Sequence, residues 1–180
     1  MSFSGGCLKW LCGGPGAAFV YVKPSLIPQL RPTDTGWLSH RDPFAFAEGP
    51  IDLADDAYRF LGGTPSIPAI YAAREGIRIV SQVGVDAIRH KSRHQTSLLI
   101  ALALEAGLTV NTPRDPEQRG GTVALDCPDA SAISEALIQR GFLVDYRPAI
   151  GIRIAPHFYN SDAECEAVIR EIASLRDKGV

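Results

Sequence analysis

Read for apolar and polar positions alone, the chain has an irregular front and a regular back. Residues 17–22 form a short run rich in β-branched and aromatic side chains, entered through Gly13, Gly14, Pro15 and Gly16 and left through Lys23 and Pro24. That pattern predicts a buried strand. Residues 23–63 carry several prolines, aromatic clusters around Trp37 and Phe44, and little periodicity, as expected of a long ordered loop with short helical turns. Loops of this length are usually functional or covered by a partner. Thr64, Pro65 and Ser66 then open a helical pattern through Ile67, Ile70, Tyr71, Ile77, Val80 and Val83, with a break expected near Gly84. Residues 85–106 place Val85, Ile88, Leu98, Leu99, Leu102 and Leu104 at mostly helical spacings and stop at Gly107, which predicts the longest helix of the chain.

Past Gly107 the period shortens. Residues 108–111, 121–127, 142–146 and 151–155 alternate or cluster apolar side chains between turn residues and are expected to be short strands. Two helical patterns lie among them, at 130–140 and 161–178, the second opened by Ser161 and Glu164 at capping-box spacing. The order strand, strand, helix, strand, strand, helix predicts a compact α+β domain with its helices on one face of a small sheet. A boundary in or near the long helix divides the chain into residues 1–83 and 84–180.

Composition narrows the function classes. A length of 180 residues fits one ordinary domain, or a small domain plus part of another. With 46% apolar and 21% charged residues a folded protein is expected. The net charge of -2, with both signs interspersed, provides no field to gather nucleic acid or an anionic membrane surface. No apolar run is long enough to span a bilayer, and the start lacks a signal-peptide pattern, so the cytoplasm is the expected compartment. Cys7, Cys12, Cys127 and Cys165 form no C-x-x-C pair, and His40, His90, His94 and His157 have no ligand spacing, so no metal site is expected.

Lys9 stands among small and apolar residues, where a solvated lysine is less expected than on a charged helix face. Burial would favour the neutral amine that Schiff-base chemistry requires, although a structural or frayed lysine fits the same residues. Gly13, Gly14, Pro15 and Gly16 match neither a Walker loop nor a dinucleotide fingerprint and read as a tight turn. Arg153, between Ile152 and Ile154 on an expected strand, presents a planar guanidinium suited to a carboxylate, or pairs with a structural acid. Trp37 serves equally as a loop anchor, and Thr64 as a helix cap.

Four landmarks change this reading when taken in order: Cys7-Leu8-Lys9-Trp10-Leu11-Cys12-Gly13-Gly14-Pro15-Gly16; Thr35-Gly36-Trp37-Leu38-Ser39-His40; Phe60-Leu61-Gly62-Gly63-Thr64-Pro65; and Gly151-Ile152-Arg153-Ile154-Ala155-Pro156 with Tyr159-Asn160. Together they resemble kynureninases, in the aminotransferase class V superfamily of pyridoxal-phosphate enzymes of fold type I. The resemblance covers essentially the whole chain and corresponds to the carboxyl-terminal portion of that family. It implies an α/β chain: the end of a PLP-transferase large domain followed by a small α+β carboxyl-terminal domain. It implies pyridoxal phosphate as cofactor, a small amino-acid substrate and a homodimer. By the same resemblance Lys9 matches the Schiff-base lysine, which also moves protons at the substrate α-carbon. Trp37 and Thr64 match residues reaching the cofactor phosphate of the neighbouring subunit, and Arg153 matches the arginine that grips the substrate carboxylate.

The implied reaction is hydrolytic cleavage of kynurenine or a related amino acid to alanine and an aromatic acid. Two departures bear on it. Leu8 stands where the family commonly has tyrosine, and the family's long amino-terminal portion, which stacks on the cofactor ring, has no counterpart before Lys9. A truncated chain without full activity of its own is therefore the expectation. The alternatives are a class V aminotransferase or lyase, and a non-catalytic module acting only in subunit association.

Overall fold

A computed structural model describes residues 2–180, which divide into two compact units, one running to Gln82 and the other Val83–Val180.

In the first unit, β1 (Ser2–Gly6) and β2 (Ala18–Val22) form an antiparallel ribbon with Ser2 opposite Val22 and Gly6 opposite Ala18. The expected strand at 17–22 is present, but within its unit it is not buried: Val22 alone is enclosed, because two strands offer no second layer to cover them. On one face Phe3 packs against Phe19 and Tyr21, with ring centroids 5.9 and 5.1 Å apart, and all three rings are about half exposed. β1 is absent from the sequence reading because Ser-Phe-Ser-Gly-Gly has little strand propensity; its pairing with β2 makes it a strand.

The segment joining these strands folds back on itself, Cys7 N–H donating to Ala17 O (3.0 Å) and Gly13 N–H to Cys7 O (2.7 Å). Helix α1 (Ile67–Val83) lies directly on it. A Cβ on Gly76 would sit 2.2 Å from Leu11 O, and one on Gly13 2.9 Å from the Ala73 Cα, so the contact exists because those positions lack side chains.

Residues 23–63 form the expected loop, shaped by four 3₁₀ turns at Pro24–Gln29, Trp37–Ser39, Pro43–Ala45 and Ala57–Phe60. Its anchor is Arg59, 8% exposed, whose guanidinium donates to the carbonyls of Ala54 (2.7 Å), Ile27 and Leu30 (3.1 Å). Such a buried cation ties together backbone groups that would otherwise be left unpaired.

In the second unit, α2 (Val85–Glu105) follows α1 after Gly84, whose φ of 88° breaks the helix where the sequence expects a break. Then come β3 (Thr109–Val110), β4 (Val123–Asp126), α3 (Ala130–Gln139), β5 (Asp145–Arg147), β6 (Gly151–Ile154) and α4 (Asp162–Lys178). The sheet has order β3-β4-β6-β5 and is antiparallel throughout. Leu99, Ile133, Leu137, Ile172 and Leu175 from the helices meet Leu125 and Ile152 from the strands in one buried cluster. Each such side chain contributes about 1.5–3 kcal/mol by burial.

The strand bounds differ from the sequence reading. The strand expected at 142–146 lies at Asp145–Arg147, since Phe142 and Val144 pack on the core from an irregular segment while Leu143 between them projects outward. The strands expected at 108–111 and 121–127 shorten to Thr109–Val110 and Val123–Asp126. The capping box is as expected: the Glu164 N–H donates to Ser161 Oγ (3.3 Å), and its carboxylate accepts the Ser161 N–H (2.6 Å).

Candidate functional site

Lys9 lies in the bend after β1, its carbonyl accepting the Cys12 N–H (2.9 Å). It is exposed, as are Leu8 and Trp10 beside it. Burial expected from its apolar neighbours is therefore not found within the chain: Cys7 and Gly13 occupy the interior of the turn and direct residues 8–10 outward. An exposed amine remains within reach of an aldehyde.

Trp37 and Thr64 are far apart in sequence and meet through backbone. Gly36 lies so close to Gly62 that a Cβ on Gly36 would come 1.9 Å from Gly62 O. Ser39, fully buried, accepts the Gly36 N–H (3.2 Å) and donates to Leu61 O (3.0 Å), stapling one segment to the other. A Cβ on Gly63 would lie 4.0 Å from Trp37 Nε1, which puts the indole N–H next to the residue preceding Thr64. Trp37 packs edge-on against Phe44 at 5.6 Å, so it also anchors the loop, yet it stays 45% exposed. Thr64 is exposed and caps no helix among the described residues. Ser39, Gly36 and Gly62 had no signal in the sequence beyond standing inside two of the four landmarks.

Arg153 belongs to the second unit. On β6 the neighbours Ile152 and Ile154 face the core, so alternation turns Arg153 to the sheet face opposite the helices. Its cross-strand neighbours are Asp145 on β5 and Ala124 on β4. Nη2 donates to Asp145 Oδ2, which also takes Arg147 Nε at 3.2 Å. The structural acid weighed as an alternative partner is thus present. The hydrogen bond from Arg153, followed by the charges of Arg147 and Arg153, holds the Asp145 carboxyl below its usual range. Arg153 Nε is buried and has no hydrogen-bond partner among the described residues.

Among the histidines, His157 is largely buried and stacks on Tyr159 at 4.7 Å. His94 Nε2 meets Asp162 Oδ2 at 2.7 Å, a pairing across 68 residues that spacing could not reveal. Among the described residues no cluster of His, Cys, Asp and Glu is arranged to hold a metal ion, and no helix is long and apolar enough to cross a membrane.

Comparison with known proteins gives these residues a context. Residues 88–172 match the family model of the kynureninase C-terminal domain. A kynureninase of Deinococcus radiodurans is 31% identical over 98% of this chain and 44% of that protein. One of Pseudomonas fluorescens is 35% identical over 79% of this chain and 35% of its own length. The chain thus spans less than half the length of these relatives. Among solved structures, the apo cysteine desulfurase of Thermococcus onnurineus NA1 superposes with a TM-score of 0.86, covering 99% of this chain and 47% of that one. At 19% identity that likeness shows the fold, an α/β arrangement matching the carboxyl-terminal region of PLP transferases. By sequence and by fold together, the chain is kynureninase-like and is similar to the carboxyl-terminal portion of those enzymes.

Proposed function

We propose that this chain carries the lysine-bearing and carboxylate-binding part of a pyridoxal-phosphate-dependent hydrolase of the kynureninase type, acting in a homodimer on kynurenine or a related amino acid. The observation that carries the reading is the likeness to a kynureninase along 98% of the chain.

The residues present fit the cofactor. Trp37 offers an indole N–H and Thr64 a hydroxyl, and among the described residues the backbone N–H groups of Gly62, Gly63 and Thr64 have no protein acceptor. Neutral donors gathered on one exposed turn suit a phosphate ester. Lys9 supplies the amine. When bound, pyridoxal phosphate is the electron sink that stabilises negative charge on the amino-acid carbons.

The chain's own residues then have separable tasks. Lys9 Nζ takes and returns the proton at the substrate α-carbon. Trp37 and Thr64 fix the phosphate end, in the neighbouring subunit of the dimer. Arg153 orients the substrate through its α-carboxylate, and holding that end still is what aligns the bond to be broken. Leu8 contributes no hydroxyl, so proton transfer near the cofactor rests on Lys9 and water.

Borohydride reduction after incubation with pyridoxal phosphate, followed by peptide mapping, tests the assignment. The expected result is a pyridoxyl group on Lys9 in preference to Lys23, Lys91 and Lys178, with release of anthranilate from kynurenine by the assembled enzyme. Reduction that labels the other lysines and spares Lys9 defeats it.

A further inference from the structure

We propose that Asp145 is a positioning residue that holds Arg153 while no substrate is present and yields it to an incoming amino-acid carboxylate by withdrawing to Arg147. The inference deepens the functional reading above and rests on it for the chemical class of the ligand.

The geometry is that of an occupied but unfinished carboxylate site. Asp145 and Arg153 are directly opposed on β5 and β6, so their side chains leave the sheet side by side. A guanidinium binds a carboxylate most firmly through two parallel N–H···O bonds. Arg153 makes only one of the pair that its Nε and Nη2 could make, since Nη2 goes to Asp145 while Nε is buried without an acceptor. A buried donor without an acceptor is rare and points to a missing partner. A substrate carboxylate placing one oxygen on each nitrogen would complete the fork.

Asp145 can leave without becoming an isolated charge. The oxygen that accepts from Arg153 also lies 3.2 Å from Arg147 Nε, so one carboxylate is shared by two guanidinium groups and the cluster keeps one surplus positive charge. Room for the exchange is built into the register. Arg147 is opposite Gly151, and Arg153 is flanked on its other side by Ala124, so no bulky side chain borders the pair across the strands. The sheet face concerned is the one that the unit's helices leave uncovered.

Asp145→Asn keeps an acceptor for Arg153 Nη2 but removes the competing charge. Calorimetric titration of L-kynurenine into the protein should then show affinity about three- to tenfold tighter than wild type, the scale expected for relieving one nearby like charge. The thermal midpoint should not rise with it, whereas a purely structural ion pair would lose stability with no gain in affinity. Asp145→Glu should restore wild-type affinity. Arg153→Gln should weaken binding more than tenfold, and adding Asp145→Asn to it should change nothing further. Unchanged or weaker binding in Asp145→Asn, with binding lost in Arg153→Gln, overturns the role of Asp145 and leaves the carboxylate site standing. Wild-type affinity in Arg153→Gln, or no binding by any form at millimolar ligand, overturns both.

Discussion

Replacing Gly36 by alanine probes the joint on which the Trp37–Thr64 arrangement depends. The φ of Gly36, -139°, is open to any residue, so the substitution acts through space alone. The new methyl would meet Gly62 O at 1.9 Å, and the two segments must part by more than about 1 Å to restore an ordinary contact. Overpacking of this kind costs about 1–3 kcal/mol. The movement also stretches the one hydrogen bond of Ser39 that crosses the joint, to Leu61 O at 3.0 Å, worth about 1 kcal/mol. The expected loss is therefore about 2–4 kcal/mol in the first unit. Both tryptophans, Trp10 and Trp37, lie there, so urea unfolding followed by tryptophan fluorescence reports that unit. Gly63→Ala is the control: its nearest neighbour would be 4.0 Å away, and it should stay within about 1 kcal/mol of wild type. Equal unfolding midpoints for the two variants would refute the claim that close backbone approach holds these residues together.

Two further outcomes concern the capping box of the second unit and a pair of thiols, one in each unit. Glu164 is held below its usual range, first by the Ser161 N–H, then by the Ser161 hydroxyl and Asn160. A carboxylate depressed in this way adds stability that is complete above its unfolded pKa, about 4.3, and lost as pH falls through the lower folded value. Ser161→Ala should lower the thermal midpoint by a few degrees at neutral pH and shrink the drop seen on acidification; an unaltered pH profile would show that the capping box contributes nothing to it. The Cys165 thiol is buried and desolvation pushes it up to about 11, whereas Cys12 is exposed. Iodoacetamide at pH 8 should modify Cys12 well before Cys165, and comparable rates in the folded protein, read by mass spectrometry of peptides, would contradict the burial.

The second unit was legible in the sequence to a degree the first was not, for a physical reason. Its elements are amphipathic or capped, so Leu99, Ile133, Leu137, Ile172 and the Ser161–Glu164 pair announce themselves by spacing. The loop of the first unit is held by polar and backbone contacts that have no period. Arg59 reaches carbonyls 29 and 32 residues away, and Ser39 reaches Leu61, 22 residues on. Arg153 is an intermediate case. Alternation on β6 turns it away from the core, but its partner Asp145 depends on the pairing of β5 with β6, which spacing along the chain does not reveal. The apolar neighbours of Lys9 misled for the opposite reason: hydrophobicity in a tight turn does not imply enclosure, because only some of its positions point inward.

The ribbon of β1 and β2 bears on handling the polypeptide. Among the described residues its outer rims pair with no further strand, and Phe3, Phe19 and Tyr21 give it an oily side. Such a surface adheres to its like. In concentrated preparations this hairpin is where copies would first stick, and a lysine in place of Val20 would keep them apart.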